Sequence, residues 1–248
     1  MKITIANNES TFDREAASRI VNQICNKPSS VIGLSTGRTT GNIHRLVCKQ
    51  HSEVNFDVSQ TTFFGLDEVT NVPREYSGAC YTMLHTEIID DLGIDDNHFL
   101  MLPTKSDDFE KECRNFRNEL EHRGGIDLLI LGLGENGHLG FNQPGTPLNS
   151  IASIAFMDER LEKRIRKETG TPDEIALGGV TLGLRDIMHA RRIVLVAKGE
   201  NKREIVREML TGPVTSDCPA SILQLHPDCE FLIDQTAAAD IDINQIRR

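Results

Sequence analysis

Residues 126–144 place a histidine, His138, among glycines and amides directly after a continuous apolar run. Imidazole titrates near neutral pH, and an open α/β sheet presents its ligands at the carboxyl ends of buried strands. A histidine delivered there is a candidate for proton transfer, although an isolated histidine is more often satisfied by backbone bonds. Gly132-x-Gly134-x-x-Gly137 also spells a dinucleotide-binding fingerprint. That fingerprint needs its last glycine to open a long helix, which Gly140, Pro144, Gly145 and Pro147 preclude. The glycines are read instead as a tight, open loop that lets a ligand approach the backbone.

Three further positions carry usable chemistry. Ser35, Thr36, Gly37, Arg38 and Thr39 lie between a predicted strand and a predicted helix. Small and hydroxyl residues there form a nest of N–H donors reinforced by a helix N-terminus, and Arg38 adds a charge for phosphate. The loop lacks the Gly-Lys-Ser/Thr ending of a Walker A motif, and an ordinary capped turn is the competing reading. Asp67-Glu68 ends another strand; adjacent residues point to opposite sides, so one carboxylate at most faces a given ligand. Asp67 is the better candidate general base, against a helix cap or a surface pair. Lys202 falls in the first turn of a helix, where a cation opposes the helix dipole unless an anion is near; a solvated lysine is the alternative.

The elements that must position these groups alternate. Strands are predicted at Lys2–Ala6, Val31–Leu34 and residues 61–66, 98–102, 128–131, 151–156, 192–197 and 229–233. Helices fall between them, one starting near Ser10 and others over residues 81–92, 107–123, 159–169, 181–189, 202–210 and 220–225. Residues 1–248 show no repeat, linker or low-complexity tract. The alternation predicts an α/β domain with a single doubly wound, mostly parallel sheet covered by helices on both faces.

Composition bounds the partners. A net charge of -10 argues against nucleic acid, which wants a basic face, without excluding an anionic small molecule. No apolar run is long enough to span a membrane, and the N-terminus reads as a strand, with no signal peptide. The six scattered cysteines form no C-x-x-C pair and no metal-finger spacing, as in a cytoplasmic protein with reduced thiols. The oligomeric state is open, a homo-oligomer being one outcome.

In residues 33–40, 64–69, 131–144, 177–184, 199–202 and 219–227 the chain resembles the amino-sugar-phosphate isomerase/deaminase family. That family includes glucosamine-6-phosphate deaminase and its galactosamine-6-phosphate relatives, and the sister 6-phosphogluconolactonases share its fold. The resemblance implies a cofactor-independent, metal-free enzyme whose partner is a phosphorylated amino sugar. It implies Asp67 as the proton-shuttling base, His138 as the ring-opening histidine, and Lys202 with Ser35, Thr36, Gly37, Arg38 and Thr39 as the phosphate site. An arginine of residues 160–166, taken as Arg164, joins them. Two residues depart from the glucosamine type, Asn136 standing for an aspartate and Gln143 for a glutamate beside the histidine. Amides orient the ring but supply no charge, so slower ring opening or an altered substrate is expected. Galactosamine-type relatives are similar in carrying asparagine at position 136, which leans toward that epimer. Residues 150–155 lack the basic groups of an allosteric phosphosugar site, so no such activation is expected. The alternatives are a lactonase and a sugar-phosphate-binding protein with little catalysis.

Overall fold

The computed structural model describes residues 1–242 except Phe156 and Asp158, and omits the side chains of Arg160, Arg164, Glu168 and Thr169. The chain runs β1 (Lys2–Ala6), α1 (Glu9–Asn26), β2 (Val31–Leu34), α2 (Gly41–Val54), β3 (Thr62–Gly65) and β4 (Asp67–Thr70). α3 (Cys80–Leu84) continues through a π-helical turn, His85–Ile89, into α4 (Asp90–Leu92); β5 (Phe99–Leu100), α5 (Phe109–His122) and β6 (Leu128–Gly132) follow. Then come β7 (Ser153–Ala155), α6 (Glu159–Thr169), β8 (Gly178–Thr181), α7 (Leu184–Met188), β9 (Arg192–Ala197), α8 (Arg203–Thr211) and β10 (Cys229–Asp234).

Seven strands pair in parallel in the order β1-β10-β9-β6-β2-β3-β5. Successive side chains of a strand point to opposite faces, and the core divides accordingly. Val31, Leu129 and Leu131 pack with Phe116 and Leu120 of α5 and Val206 and Met209 of α8. Ile32, Leu34, Leu128 and Ile130 pack with Phe12 and Ile20 of α1 and Ile43 and Val47 of α2. Burial of each such side chain contributes roughly 1.5–3 kcal/mol, so both helical layers are anchored to the sheet. This is the doubly wound α/β architecture expected from the alternation.

The structure adds a second sheet, β4-β8-β7, which is antiparallel. The strand read over residues 61–66 ends at Gly65, and after Leu66 the chain enters β4, where Asp67 pairs with Thr181. The helix expected over residues 181–189 shortens to Leu184–Met188, because Gly178–Thr181 is drawn into this sheet. The strand expected over residues 151–156 is Ser153–Ala155, and Phe156 lies outside the described residues. α1 starts earlier than the reading from Ser10: the Asn8 side chain accepts from Thr11 N at 2.9 Å and caps it.

At the N-terminal ends of the strands, Glu230 is 1 % exposed and is gripped by Arg19 (2.9 Å), Arg192 (3.1 Å) and Lys2 (3.1 Å). Burial pushes its carboxyl up, but the bonds from Arg19, Thr4 and Lys2 outweigh that and hold it at about 2. A carboxyl depressed on folding stabilises the native state above its ordinary pKa and loses that contribution as pH falls from 4.5 toward 2. Glu230→Gln is expected to cost roughly 2–4 kcal/mol near neutral pH, since it removes the buried charge against which Arg19, the most enclosed of the three cations, is held. Urea unfolding should show this deficit shrinking below about pH 4; a deficit independent of pH would assign the loss to packing.

Candidate active site

Chain order reverses between β2 and β6: β2 leads to β3 and β5 on one side, β6 to β9 and β10 on the other. A parallel sheet opens a crevice at the carboxyl ends of its strands at such a point. There lies a cavity of about 500 Å³ lined by Ser35, Thr36, Gly37, Arg38, Thr39, Asp67, His138 and Lys202, among others. Ser35 Oγ donates to the Ile130 carbonyl (3.0 Å), tying the loop after β2 to β6. The Gly37 carbonyl accepts from the backbone N–H groups of Thr40 (3.2 Å) and Gly41 (3.1 Å). These bonds start α2, so the positive end of its dipole meets the loop.

The loop after β6 folds back so that Gly134 N donates to the His138 carbonyl (3.0 Å). A Cβ on Gly134 would come within 2.3 Å of the His138 ring, so only glycine permits this packing. Asn136 Oδ1 accepts from His138 Nδ1 (2.6 Å) and from its backbone N (3.2 Å), while Asn136 Nδ2 donates to Gln143 Oε1 (3.0 Å). The direction of these bonds puts the proton on Nδ1 and makes Nε2 the nitrogen able to accept another. Asn136 and Gln143 are not among the residues lining the cavity; they stand behind the imidazole.

Asp67 is 9 % exposed and lines the same cavity. Burial pushes its carboxyl up to about 7, against a hydrogen bond from the Cys80 thiol (3.8 Å) that pulls it down. Gly140 packs against it with φ 56°; a Cβ there would lie 2.8 Å from Thr181 Oγ1 and 3.2 Å from Asp67 Oδ2. Glu68 leaves the strand on the other side and is wholly buried. It accepts from the backbone N–H of Val69 (2.7 Å), Cys80 (2.7 Å) and Tyr81 (2.8 Å). The two carboxylates therefore do different work, as an extended backbone dictates.

Lys202 is the last residue of a 3₁₀ turn, Glu200–Lys202, just before α8, and its Nζ donates to the Leu133 carbonyl (2.6 Å), which turns the ammonium onto the loop after β6. Lys198 also lines the cavity, with its charge balanced by Glu9 (2.8 Å) and Asp13 (2.9 Å). Arg164 belongs to α6, and its side chain lies outside the described residues. Arg166 is committed to Glu162 (2.6 Å) and to the carbonyls of Pro172 and Ile175 (both 2.6 Å). Sequence reasoning missed Cys80 and an apolar wall of Val69, Met83, Phe141, Leu161 and Ile165. Phe141 carried a signal, lying three residues after His138 in one loop; the isolated Cys80 carried none. Among the described residues no group of three or more His, Cys, Asp or Glu is placed to hold a metal.

Residues 7–231 match the model of the glucosamine-6-phosphate isomerases/6-phosphogluconolactonase family, and the chain belongs to it. The chain is 32% identical to a glucosamine-6-phosphate deaminase of Thermoanaerobacter pseudethanolicus, with 99% of this chain and 98% of the relative covered. It is 32% identical to another of that name from Halothermothrix orenii, with 96% and 99% covered. A solved structure described as a monomeric glucosamine-6-phosphate deaminase superposes with a TM-score of 0.92 at 29% identity, covering 96% of this chain and 99% of the other. The 6-phosphogluconolactonase of Trypanosoma cruzi shares the fold, with a TM-score of 0.78 at 20% identity over 97% of this chain and 96% of that one.

Proposed function

We propose that this chain is an enzyme that isomerises and deaminates a hexosamine 6-phosphate, releasing ammonia and a ketose 6-phosphate with no cofactor. The observation that carries this reading is the buried Asp67 carboxyl in one cavity with a histidine and a hydroxyl-rich helix N-terminus. The loop of residues 35–39 and Lys202 grip the phosphate, and Arg164 is assigned to the same role by the family resemblance alone. That remote grip presents C1 and C2 to Asp67. His138 Nε2 takes the O1 proton and passes it to O5, opening the ring. Asp67 removes the C2 proton and returns it at C1; water then adds at C2 and ammonia leaves. A base poised near neutral pH suits this transfer.

Asn136 stands behind His138, so it cannot read the sugar's C4 hydroxyl directly. The leaning toward galactosamine 6-phosphate therefore rests on likeness alone, while the names of the relatives favour glucosamine 6-phosphate. We read residues 1–248 as one domain, because β1 and β10 lie side by side at the edge of the main sheet. All six cysteines are free thiols, which fits a reducing cytoplasm. Among the described residues no helix is long and apolar enough to cross a membrane.

Ammonia release from glucosamine 6-phosphate and galactosamine 6-phosphate, assayed in parallel without added cofactor, tests this reading. Turnover of either is the expected result and names the epimer. Silence on both, with phosphosugar binding retained, would favour a binding role; hydrolysis of a phosphogluconolactone would favour the lactonase.

A further inference from the structure

Cys80, the first residue of α3, lies between Thr36 of the loop after β2 and Asp67, and its sulfur contacts both. Thr36 Oγ1 is 3.2 Å from Cys80 Sγ, and Sγ is 3.8 Å from Asp67 Oδ1. With the hydroxyl donating to sulfur, the thiol proton is left to point at the carboxylate. Cys80 is 4 % exposed, lines the cavity and has no disulfide partner. Its backbone is fixed as well, because buried Glu68 accepts from Cys80 N and Tyr81 N and docks the start of α3. The neighbouring carboxylates thus hold the same residue from two sides, Asp67 through its thiol and Glu68 through its amide.

We propose that Cys80 is a positioning residue for the reaction: its thiol hydrogen bond sets the orientation of the Asp67 carboxylate, and Thr36 sets the thiol. The phosphate loop and the base then form one rigid unit, and a sugar gripped at its phosphate meets a base whose placement depends on that same loop. The inference rests on the hexosamine-phosphate reading given above. Burial, with Asp67 and Glu68 beside it, pushes the thiol well above its ordinary range, so Cys80 acts as a neutral donor and not as a nucleophile. The other groups around Asp67 are Glu68, next on its strand but turned to the other side, the Thr181 hydroxyl of β8, and the charged or titratable groups Arg38, Glu135, His138, Lys198 and Lys202 that line the same cavity.

Two measurements test the assignment. In the pH dependence of kcat/KM, the acid limb follows ionisation of Asp67. Removing the donor in Cys80→Ala should move that limb upward by on the order of 0.5 pH unit and lower kcat by about 10-fold, with KM nearly unchanged. Cys80→Ser, which keeps a donor, should restore most of both; a thiol that only filled space would leave the limb in place in either variant. The second readout needs no turnover. The infrared S–H band lost in Cys80→Ala should move to higher wavenumber in Asp67→Asn above neutral pH, as an amide replaces the stronger acceptor. A band that does not move overturns the hydrogen bond, and an unmoved acid limb overturns its role. Failure to turn over any hexosamine phosphate would count against the proposed reaction, while the band shift would still decide the thiol contact.

Discussion

Asp67→Asn is expected to abolish ammonia release while making the fold more stable above neutral pH. The catalytic loss should reach at least about 10²–10⁴-fold, the usual contribution of a positioned general base. The stability gain follows from the carboxyl's displacement from 3.8 to about 7, caused by burial. A carboxyl raised on folding binds its proton more tightly in the native state, so stability falls as pH rises between those values and stays low above the upper one. That span corresponds to about 4 kcal/mol as an upper figure, since each pH unit is worth about 1.4 kcal/mol and the cavity lets water screen the charge. Asparagine keeps the shape and carries no charge. Thermal unfolding near pH 8 should show the variant ahead by roughly 1–4 kcal/mol, with the two proteins converging near pH 4. A variant less stable at pH 8 would mean that the carboxylate is held by donors the geometry does not contain. Glu68 is also pushed up to about 7 by burial, yet three backbone amides already donate to it, so it offers no such gain.

The main sheet was legible because its strands are apolar on both faces. Leu128 to Leu131 is a continuous buried run, and the glycine loop with His138 follows directly at the carboxyl end. The loop after β2 was legible for the same reason, since Val31–Leu34 is buried throughout and hydroxyl residues follow it. Of the small sheet only β7 was, within residues 151–156. β4 reads Asp-Glu-Val-Thr and β8 reads Gly-Gly-Val-Thr, and aspartate, glutamate and glycine are all poor strand signals. Tertiary pairing makes them strands, and no local pattern announces it. The juxtaposition of Cys80 with Asp67 escaped for a related reason: 13 positions of turn-rich chain separate them, and only the amides that Glu68 collects bring α3 back. Asn136 and Gln143 were legible as departures, but their place in a line behind the imidazole is a matter of loop geometry.

Giving that line a charge is expected to shift the pH profile more than any other conservative change at the site. In the native chain the Nδ1–H of His138 is held by Asn136, and Asn136 by Gln143, through neutral amides that fix the tautomer. An aspartate at position 136 would put a carboxylate against the ring at hydrogen-bond distance, where an opposite charge favours the protonated form by 1–3 pH units. Gln143 Nε2 is buried with no hydrogen-bond partner, and on turning over, its amide could donate to the second oxygen of that aspartate. Asn136→Asp is therefore expected to fold as well as the native chain. The limb set by His138 should move upward by roughly 1–2 pH units, and above it ring opening should quicken by about 10-fold, because a more basic Nε2 takes the O1 proton more readily. Gln143→Glu sets the charge one hydrogen bond further away and leaves an oxygen facing no donor, so its shift should be nearer 0.5 pH unit. His138→Gln fixes the floor, with a loss of about 10²–10³-fold. Profiles of kcat/KM, read beside an NMR titration of the imidazole, check all three. If Asn136→Asp raises the imidazole pKa in the NMR titration yet leaves the rate profile in place, His138 does not carry the ring-opening proton, and that step passes to water or to Asp67.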